Sequence, residues 1–304
     1  MRHVISAHDL STDQIIDILD RAETMLPVAR GEAVEDRLRG KVLASIFFEP
    51  STRTRLSFET AMHRLGGGVI GFAGTEATSV VKGETLADTI RMVSGYADAV
   101  VLRHPQEGAA KFATEFSDVP ILNAGDGAGQ HPTQTLLDLF TIRREMGRLE
   151  GLNISLVGDL RFGRTTHSLA PALARFGNTI NLVSPQGLEM PGEVVEYLED
   201  AGMLGTACHA LEDVLPTTDV LYVTRIQKER FPDPVEYEKV AGVYRVDPAL
   251  VSLGPEKMII MHPLPRVNEI APEVDALPQA KYFTQAFNGV PVRMALLSML
   301  IGGS

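Results

Sequence analysis

The N-terminal stretch reads Leu10, Ser11, Thr12, Asp13, Gln14, then Ile15, Ile16 and Leu19, a capping box followed by apolar residues at helical spacing. A surface helix is predicted to open the fold. After polar positions 32–39, residues 41–48 (KVLASIFF) form an apolar run too short for a packed helix and stopped by Pro50, which predicts a buried strand. From Arg55 onward Phe58, Ala61, Met62 and Leu65 recur one helical turn apart, and Gly66, Gly67 and Gly68 supply a left-handed stop. The alternation continues with a strand near 69–72, a helix from about Glu84 with Leu86, Ile90 and Val93 inward, a strand over 98–103, a helix over 107–116 and the strand PILNAG. Residues 131–146 predict a longer helix that ends at Gly147 and could link two halves. Beyond it the pattern restarts: strand 153–159, helix 164–176, strand TINLVSP, helix 192–201, then strands over 219–225 and 258–266. Met294, Leu297 and Ile301 place an amphipathic helix at the end, able to pack back on either half.

Strands alternating with helices imply mainly parallel sheets, and the restart after Gly147 implies two such units: an α/β chain of two domains, each a parallel sheet flanked by helices. The 304 residues, 44% hydrophobic and 22% charged, are enough for two buried cores and exclude a disordered chain. Thirty-nine acidic against 28 basic residues give a formal charge of -11, a field that disfavours nucleic acid and anionic membranes as partners. The single Cys208 cannot form an internal disulfide, and the first residues turn polar too soon for a secretion signal, so a cytoplasmic protein is expected. The longest apolar runs fall short of the roughly 20 residues that span a bilayer.

In open parallel sheets the ligand lies beyond the carboxyl ends of the strands, and those ends are polar here in a consistent way. Ser51, Thr52, Arg53, Thr54 and Arg55 follow the first strand, His104 the third and His131 the fourth; Arg161 and Arg164 follow NISLVGD, and Arg225 follows DVLYVT. Cations collected along strand ends of an acidic protein point to a small anionic ligand. A lone Ser or Thr at a helix start is usually only a cap, but two arginines and three hydroxyls within five residues favour phosphate bound at the positive end of a helix. Arg164 at a helix start suits a carboxylate or phosphate, and reads equally as a surface arginine. His131 reads as a helix-start or core histidine when taken alone; Gln134 one turn later lets both face a carbonyl and an amide. In HPLPR (262–266) two prolines stiffen the backbone after a strand, either as a rigid turn or to present carbonyls to a ligand amide. Lys82 ends a loop over 78–84, where a lysine is ordinarily just solvated.

Several chemistries lack their residues. No GxxxxGK[ST] loop is present, and Gly158 and Gly163 do not make the dinucleotide fingerprint. The histidines show no HExxH, the single cysteine excludes Cys-rich zinc spacing, and no GxSxG elbow appears, so neither metal, cofactor nor covalent nucleophile is expected. Cys208 is expected between helices, in ACHA.

FFEPSTRTRLSFE, RHPQEG (103–108), HPTQTLLDLF (131–140), VGDLRFGRT (157–165), TRIQKER (224–230) and HPLPR, in this order over nearly the whole chain, resemble the aspartate carbamoyltransferase family. The resemblance implies transfer of the carbamoyl group of carbamoyl phosphate to aspartate in pyrimidine biosynthesis. It further implies a homotrimer whose active sites lie between chains. Its carbamoyl phosphate domain would comprise residues 1–132 plus the C-terminal helix 286–304, and its aspartate domain residues 133–285.

Carried over motif by motif, the resemblance implies that Ser51, Thr52, Arg53 and Thr54 hold the phosphate, with Arg103 shared between phosphate and carbonyl oxygen. His131 would bind the same carbonyl oxygen, and Gln134 with the backbone carbonyls of Leu264 and Pro265 the amide. Arg164, Arg225 and Gln227 would bind the carboxylates of aspartate. Lys82 and Ser79 would come from the neighbouring chain, Lys82 reaching both substrates, and Glu49 and Arg230 would help hold the domains closed. The loop before Lys82 is one residue shorter than in some bacterial relatives, leaving Thr78 and Ser79 as alternatives for the phosphate contact, and Phe162 stands where a tyrosine is often found.

A site of fixed donors accelerates by orienting two substrates and stabilising developing charge, with Arg53, Thr54, Arg103 and His131 facing the oxyanion of a tetrahedral intermediate. Ornithine is the rival acceptor, but its cationic side chain is poorly served by Lys82, Arg164 and Arg225. A non-catalytic anion-binding scaffold is the alternative from another class. The resemblance also admits a separate regulatory chain as a partner.

Overall fold

The apolar run over 41–48 becomes a strand covered on both faces, which is why it shows no polar alternation: β1 (Val42–Phe47) is buried from Leu43 onward. In the computed structural model, which describes residues 1–76, 78–127, 129–227, 237 and 243–302, the chain forms two units. One comprises Met1–Phe140 with Phe287–Ser304, the other Thr141–Ala286.

The first unit opens with α1 (Thr12–Thr24) and α2 (Leu26–Arg30). Ser11 caps α1 by accepting from the Gln14 N–H, and the Gln14 side chain returns the contact, so the capping box forms. After β1 come α3 (Thr52–Arg64), β2 (Gly68–Ala73), α4 (Leu86–Ser94), β3 (Ala99–His104), α5 (Ala109–Ala113) and β4 (Ile121–Asp126). The sheet runs β2-β1-β3-β4, all parallel. Ala44, Ile46, Val100 and Leu102 pack with Ile90 and Val93 of α4 and with Ala110 and Ala113 of α5. Burying each larger side chain contributes roughly 1.5–3 kcal/mol.

The chain passes between units within α6 (Pro132–Met146). The second unit continues with β5 (Asn153–Val157), α7 (Arg164–Ala174), β6 (Thr179–Val183), α8 (Gly192–Asp200), β7 (Leu204–Cys208), β8 (Val220–Val223) and β9 (Ile259–Met261). These strands order as β7-β6-β5-β8-β9, again parallel throughout. The C-terminal helix Tyr282–Ile301 carries the chain back into the first unit. Among the described residues no helix is long and apolar enough to cross a membrane.

Three expectations need correction and one an addition. The helix over 107–116 is two pieces, α5 and a 3-10 turn Thr114–Phe116, because the Thr114 hydroxyl donates to the Lys111 carbonyl and tightens the last turn. Cys208 lies between helices in chain order as expected, but at the end of an edge strand, β7, that was not predicted; LGTAC is half-exposed or exposed throughout and lacks the apolar alternation that marks a strand. The strand over 258–266 shrinks to β9, since Pro263 and Pro265 have no N–H to continue a ladder. The C-terminal helix is not amphipathic where it matters: residues 288–298 are buried on every side. Arg293 is accommodated there by donating to Thr133 Oγ1 at 3.1 Å and lying 4.9 Å from the Phe58 ring, and burial pushes its pKa down to about 9, partly offset by Asp138.

Candidate active site

In the first unit the chain leaves β1 for β2 on one side, while β3 and β4 extend the sheet on the other, so the strand order reverses between β1 and β3. A crevice forms at such a point between the two loops leaving the strands. The register pairs Phe47 with Arg103, and the Phe48 N–H donates to the Arg103 carbonyl at 2.9 Å, which sets Arg103 against the loop that begins at Glu49. Arg103 Nη1 donates to the Ala124 carbonyl of β4 at 3.1 Å, and Nε lies 3.6 Å from Glu49 Oε2. Glu49, assigned to domain closure by the resemblance, thus has a partner within its own unit. Arg230 lies outside the described residues.

Ser51 occupies the N-cap position of α3, yet its side chain makes no capping bond. Thr52 and Arg53 are exposed on the first turn and Thr54 is buried beneath them. Partial enclosure of the Arg53 guanidinium lowers its pKa from the ordinary arginine value. Arg55, the second arginine of the run, is committed elsewhere: its Nε donates to Glu59 Oε1 at 2.7 Å, an oxygen that also accepts from Ser45 Oγ at 3.0 Å. The helix start therefore presents hydroxyls, backbone N–H groups and one guanidinium.

His131 immediately precedes α6 and is buried, with its Nε2 3.5 Å from Thr54 Oγ1. Gln134, one turn on, donates its amide N–H to Asp138 Oδ1 at 2.9 Å. That bond orients the amide and leaves Oε1 as the end able to accept from a ligand N–H. The loop before His131 is tied down by Asp126, whose Oδ1 accepts from the Gln130 N–H at 3.0 Å and whose Oδ2 accepts from the Gly108 N–H at 2.9 Å. His104, buried against the Phe48 ring at 4.8 Å, is pushed below the usual histidine pKa by that burial, against the pull of Glu49 and Asp126. Its Nδ1 accepts from the Gln106 N–H at 3.0 Å.

Ser79 and Lys82 lie apart from this group, in the exposed 3-10 turn Ser79–Lys82 that follows edge strand β2. Neither side chain makes a hydrogen bond or ion pair among the described residues. Thr78 is occupied locally, its hydroxyl donating to the Thr75 carbonyl at 2.8 Å.

In the second unit the order reverses between β5 and β8, and the loops leaving those strands carry Arg164, Arg225 and Gln227. One carboxylate organises both loops. Asp159 is fully buried; its Oδ1 accepts from the Phe162 N–H at 2.9 Å and its Oδ2 from the Gln227 N–H at 3.3 Å. Burial raises its pKa despite these donors. Gln227 Nε2 donates to the Phe162 carbonyl at 3.0 Å, so the backbone at 162 is held from both sides. Gly158 makes the approach possible: at φ +118° a Cβ would sit 2.2 Å from the Thr224 carbonyl oxygen. Arg164 opens α7 and, like Arg225, is half-buried.

Leu264 and Pro265 follow β9. Leu264 is in the left-handed region at φ +55°, and the Leu264–Pro265 peptide is cis. Sequence reading passed over Asp126, Asp138, Asp159 and Glu269, all buried and all hydrogen-bonded to segments that carry candidate ligand groups. The available signal was a carboxylate directly after an apolar strand, as in LVGD and LNAGD, where an unpaired charge would be costly to bury. Among the described residues no cluster of three or more His, Cys, Asp or Glu could hold a metal ion.

Residues 2–144 match the family model of the aspartate/ornithine carbamoyltransferase carbamoyl-P binding domain, and residues 150–300 that of the Asp/Orn binding domain. The aspartate carbamoyltransferase catalytic subunit of Methanocella arvoryzae is 57% identical over 303 residues, covering 99% of this chain and 97% of that protein. The catalytic subunit of M. jannaschii aspartate transcarbamoylase superposes with a TM-score of 0.92 at 56% identity, covering 99% and 98% of the two chains. Aspartate transcarbamoylase from Trypanosoma cruzi, solved with carbamoyl phosphate and aspartate, gives 0.93 at 43% identity, covering 99% and 97%.

Proposed function

Because the chain belongs to the aspartate/ornithine carbamoyltransferase family, we propose that it transfers the carbamoyl group of carbamoyl phosphate to the α-amine of L-aspartate, giving N-carbamoyl-L-aspartate and phosphate. The observation that carries this reading is chemical: each sheet presents a cationic, hydrogen-bonding set at its point of strand reversal. Ser51, Thr52, Arg53, Thr54 and Arg103 suit a phosphate, and Arg164 and Arg225 with Gln227 suit a dicarboxylate.

The carbamoyl oxygen is held by Arg103 and His131, and the carbamoyl NH2 donates to Gln134 Oε1, the end left accepting by Asp138, and to the carbonyls of Leu264 and Pro265. The neutral amine of aspartate attacks the carbamoyl carbon, forming the C–N bond. The oxyanion that develops is stabilised by Arg53, Thr54, Arg103 and His131. The C–O bond to phosphate then breaks, and the departing phosphate takes the amine proton. His131 acts as a hydrogen-bond donor to the oxygen rather than as a base. Positioning of two anions and charge stabilisation supply the acceleration.

Lys82 and Ser79 serve a neighbouring copy of the chain in a homotrimer. What supports this is their exposure and their lack of side-chain partners among the described residues. Ser79 is the better phosphate ligand of the two candidates, since the Thr78 hydroxyl is already donated to Thr75. Mixing a Lys82→Ala chain with a His131→Ala chain should restore part of the activity each lacks, and no recovery in mixed trimers would refute sharing.

The activity itself is tested by colorimetric detection of carbamoyl aspartate formed by the purified chain. Ornithine in place of aspartate should give no product, and product from ornithine alone would overturn the acceptor assignment.

A further inference from the structure

The loop that follows β9 is braced by a buried pair that sequence reading did not single out. His262 is 1% exposed, and its Nδ1 accepts from the Leu264 N–H at 2.7 Å. Its Nε2 lies 2.7 Å from Glu269 Oε1. A nitrogen that accepts from a backbone N–H carries no proton, so the ring proton sits on Nε2 and is donated to the carboxylate. His262 is thereby a neutral imidazole of one tautomer. The other oxygen, Glu269 Oε2, accepts from the N–H groups of Val267 at 3.1 Å and Asn268 at 3.0 Å. Upstream, the His262 N–H donates to Gln285 Oε1 at 2.8 Å.

Backbone donors at 262, 264, 267 and 268 are thus all committed to side chains of the same unit. Leu264 has the most to gain from the bracing. A non-glycine residue at φ +55° costs on the order of 1–2 kcal/mol relative to ordinary backbone and persists only where its surroundings hold it. The His262 ring holds it through the one N–H available between Pro263 and Pro265.

We infer that His262, oriented by Glu269, is a positioning residue: by accepting the Leu264 N–H it aims the Leu264 and Pro265 carbonyls at the carbamoyl NH2, and so selects a carbamoyl over an acyl phosphate. The inference rests on the proposed carbamoyl transfer and adds the element that recognises the amide. Neither side chain of the pair touches substrate. The effect is confined to ligands that have an N–H to donate.

Two substitutions separate the two ring nitrogens. Asparagine places an oxygen near the Nδ1 position and can still accept the Leu264 N–H, whereas glutamine extends a donor toward Glu269 and leaves Leu264 without its acceptor. The KM for carbamoyl phosphate and the inhibition constant of acetyl phosphate, which carries a methyl where the amide would be, are measured for each protein. In His262→Gln the KM should rise about tenfold, the worth of one or two hydrogen bonds, with the acetyl phosphate constant unchanged. His262→Asn should keep the wild-type preference. Equal weakening of both ligands in His262→Gln, no weakening of either, or the same loss of preference in His262→Asn would overturn the inference.

Should His262→Gln not fold, 15N-histidine labelling of the wild-type chain gives a second measurement. A His262 ring with a bare Nδ1 and a protonated Nε2 is expected, and an imidazolium or the opposite tautomer would overturn the proposal. A wild-type chain that made no carbamoyl aspartate would refute the parent activity and this inference together. An active wild type with unselective loss in His262→Gln would refute the inference alone.

Discussion

The Thr54 hydroxyl lies 3.5 Å from His131 Nε2, although 77 residues separate them. Thr54 belongs to the first turn of α3 and His131 is the residue before α6, so this contact is where the loop proposed to hold phosphate meets the group proposed to bind the carbamoyl oxygen.

His131→Ala removes the side chain proposed to donate to the developing oxyanion. Turnover should fall by about 10²–10³-fold, as for other oxyanion donors. Steady-state formation of carbamoyl aspartate is the check, and wild-type turnover in the variant would remove His131 from the mechanism.

Arg225→Ala tests the proposed site of the second substrate. The KM for aspartate should rise by about ten- to a hundredfold, the worth of a charge-assisted hydrogen bond, while carbamoyl phosphate binding stays near wild type. Equal losses for both substrates would contradict the division of labour between the two cationic sets.

Gly158→Ala places a methyl 2.2 Å from the Thr224 carbonyl oxygen, on a residue at φ +118°. The loops after β5 and β8 would have to separate, at a cost of about 2–4 kcal/mol in stability. Urea unfolding midpoints measure it. An unchanged midpoint would mean that the strands do not approach so closely.

Asp98 accepts from Lys41 Nζ at 2.9 Å and from the Val42 N–H at 2.8 Å. Burial alone would raise its pKa, but these bonds hold it below the ordinary 3.8. A carboxyl whose folded pKa lies below its unfolded one contributes stability above the unfolded value and loses it as pH falls through the folded value. Asp98→Asn should therefore be less stable than wild type by about 1 kcal/mol at pH 7, since the pair is partly exposed. The gap should close as the pH drops below 3.8, and a gap independent of pH would refute the linkage.

Much of this protein is legible in its letters because the relevant forces are local or one-dimensional. Apolar runs such as VLASIF announce strands buried on both faces, Ser11 and Gln14 announce a helix start, and Arg and hydroxyl groups directly after strands are what the proposed anion sites rest on. Carbamoyl transfer was legible because six motifs keep their order over nearly the whole chain.

Tertiary structure decided what depends on neighbours distant in sequence. Strand order selected which loops face one another at each reversal point, and only that order makes partners of Arg103 and the loop after β1. Burial turned the C-terminal helix into a core element around Arg293, because neighbours on every side supplied apolar cover and a hydroxyl for a charge that spacing alone would send to water. The buried carboxylates Asp126, Asp138, Asp159 and Glu269 became organisers of the candidate ligand loops for the same reason: a desolvated carboxylate must be hydrogen-bonded, and its donors lie wherever the fold brings them.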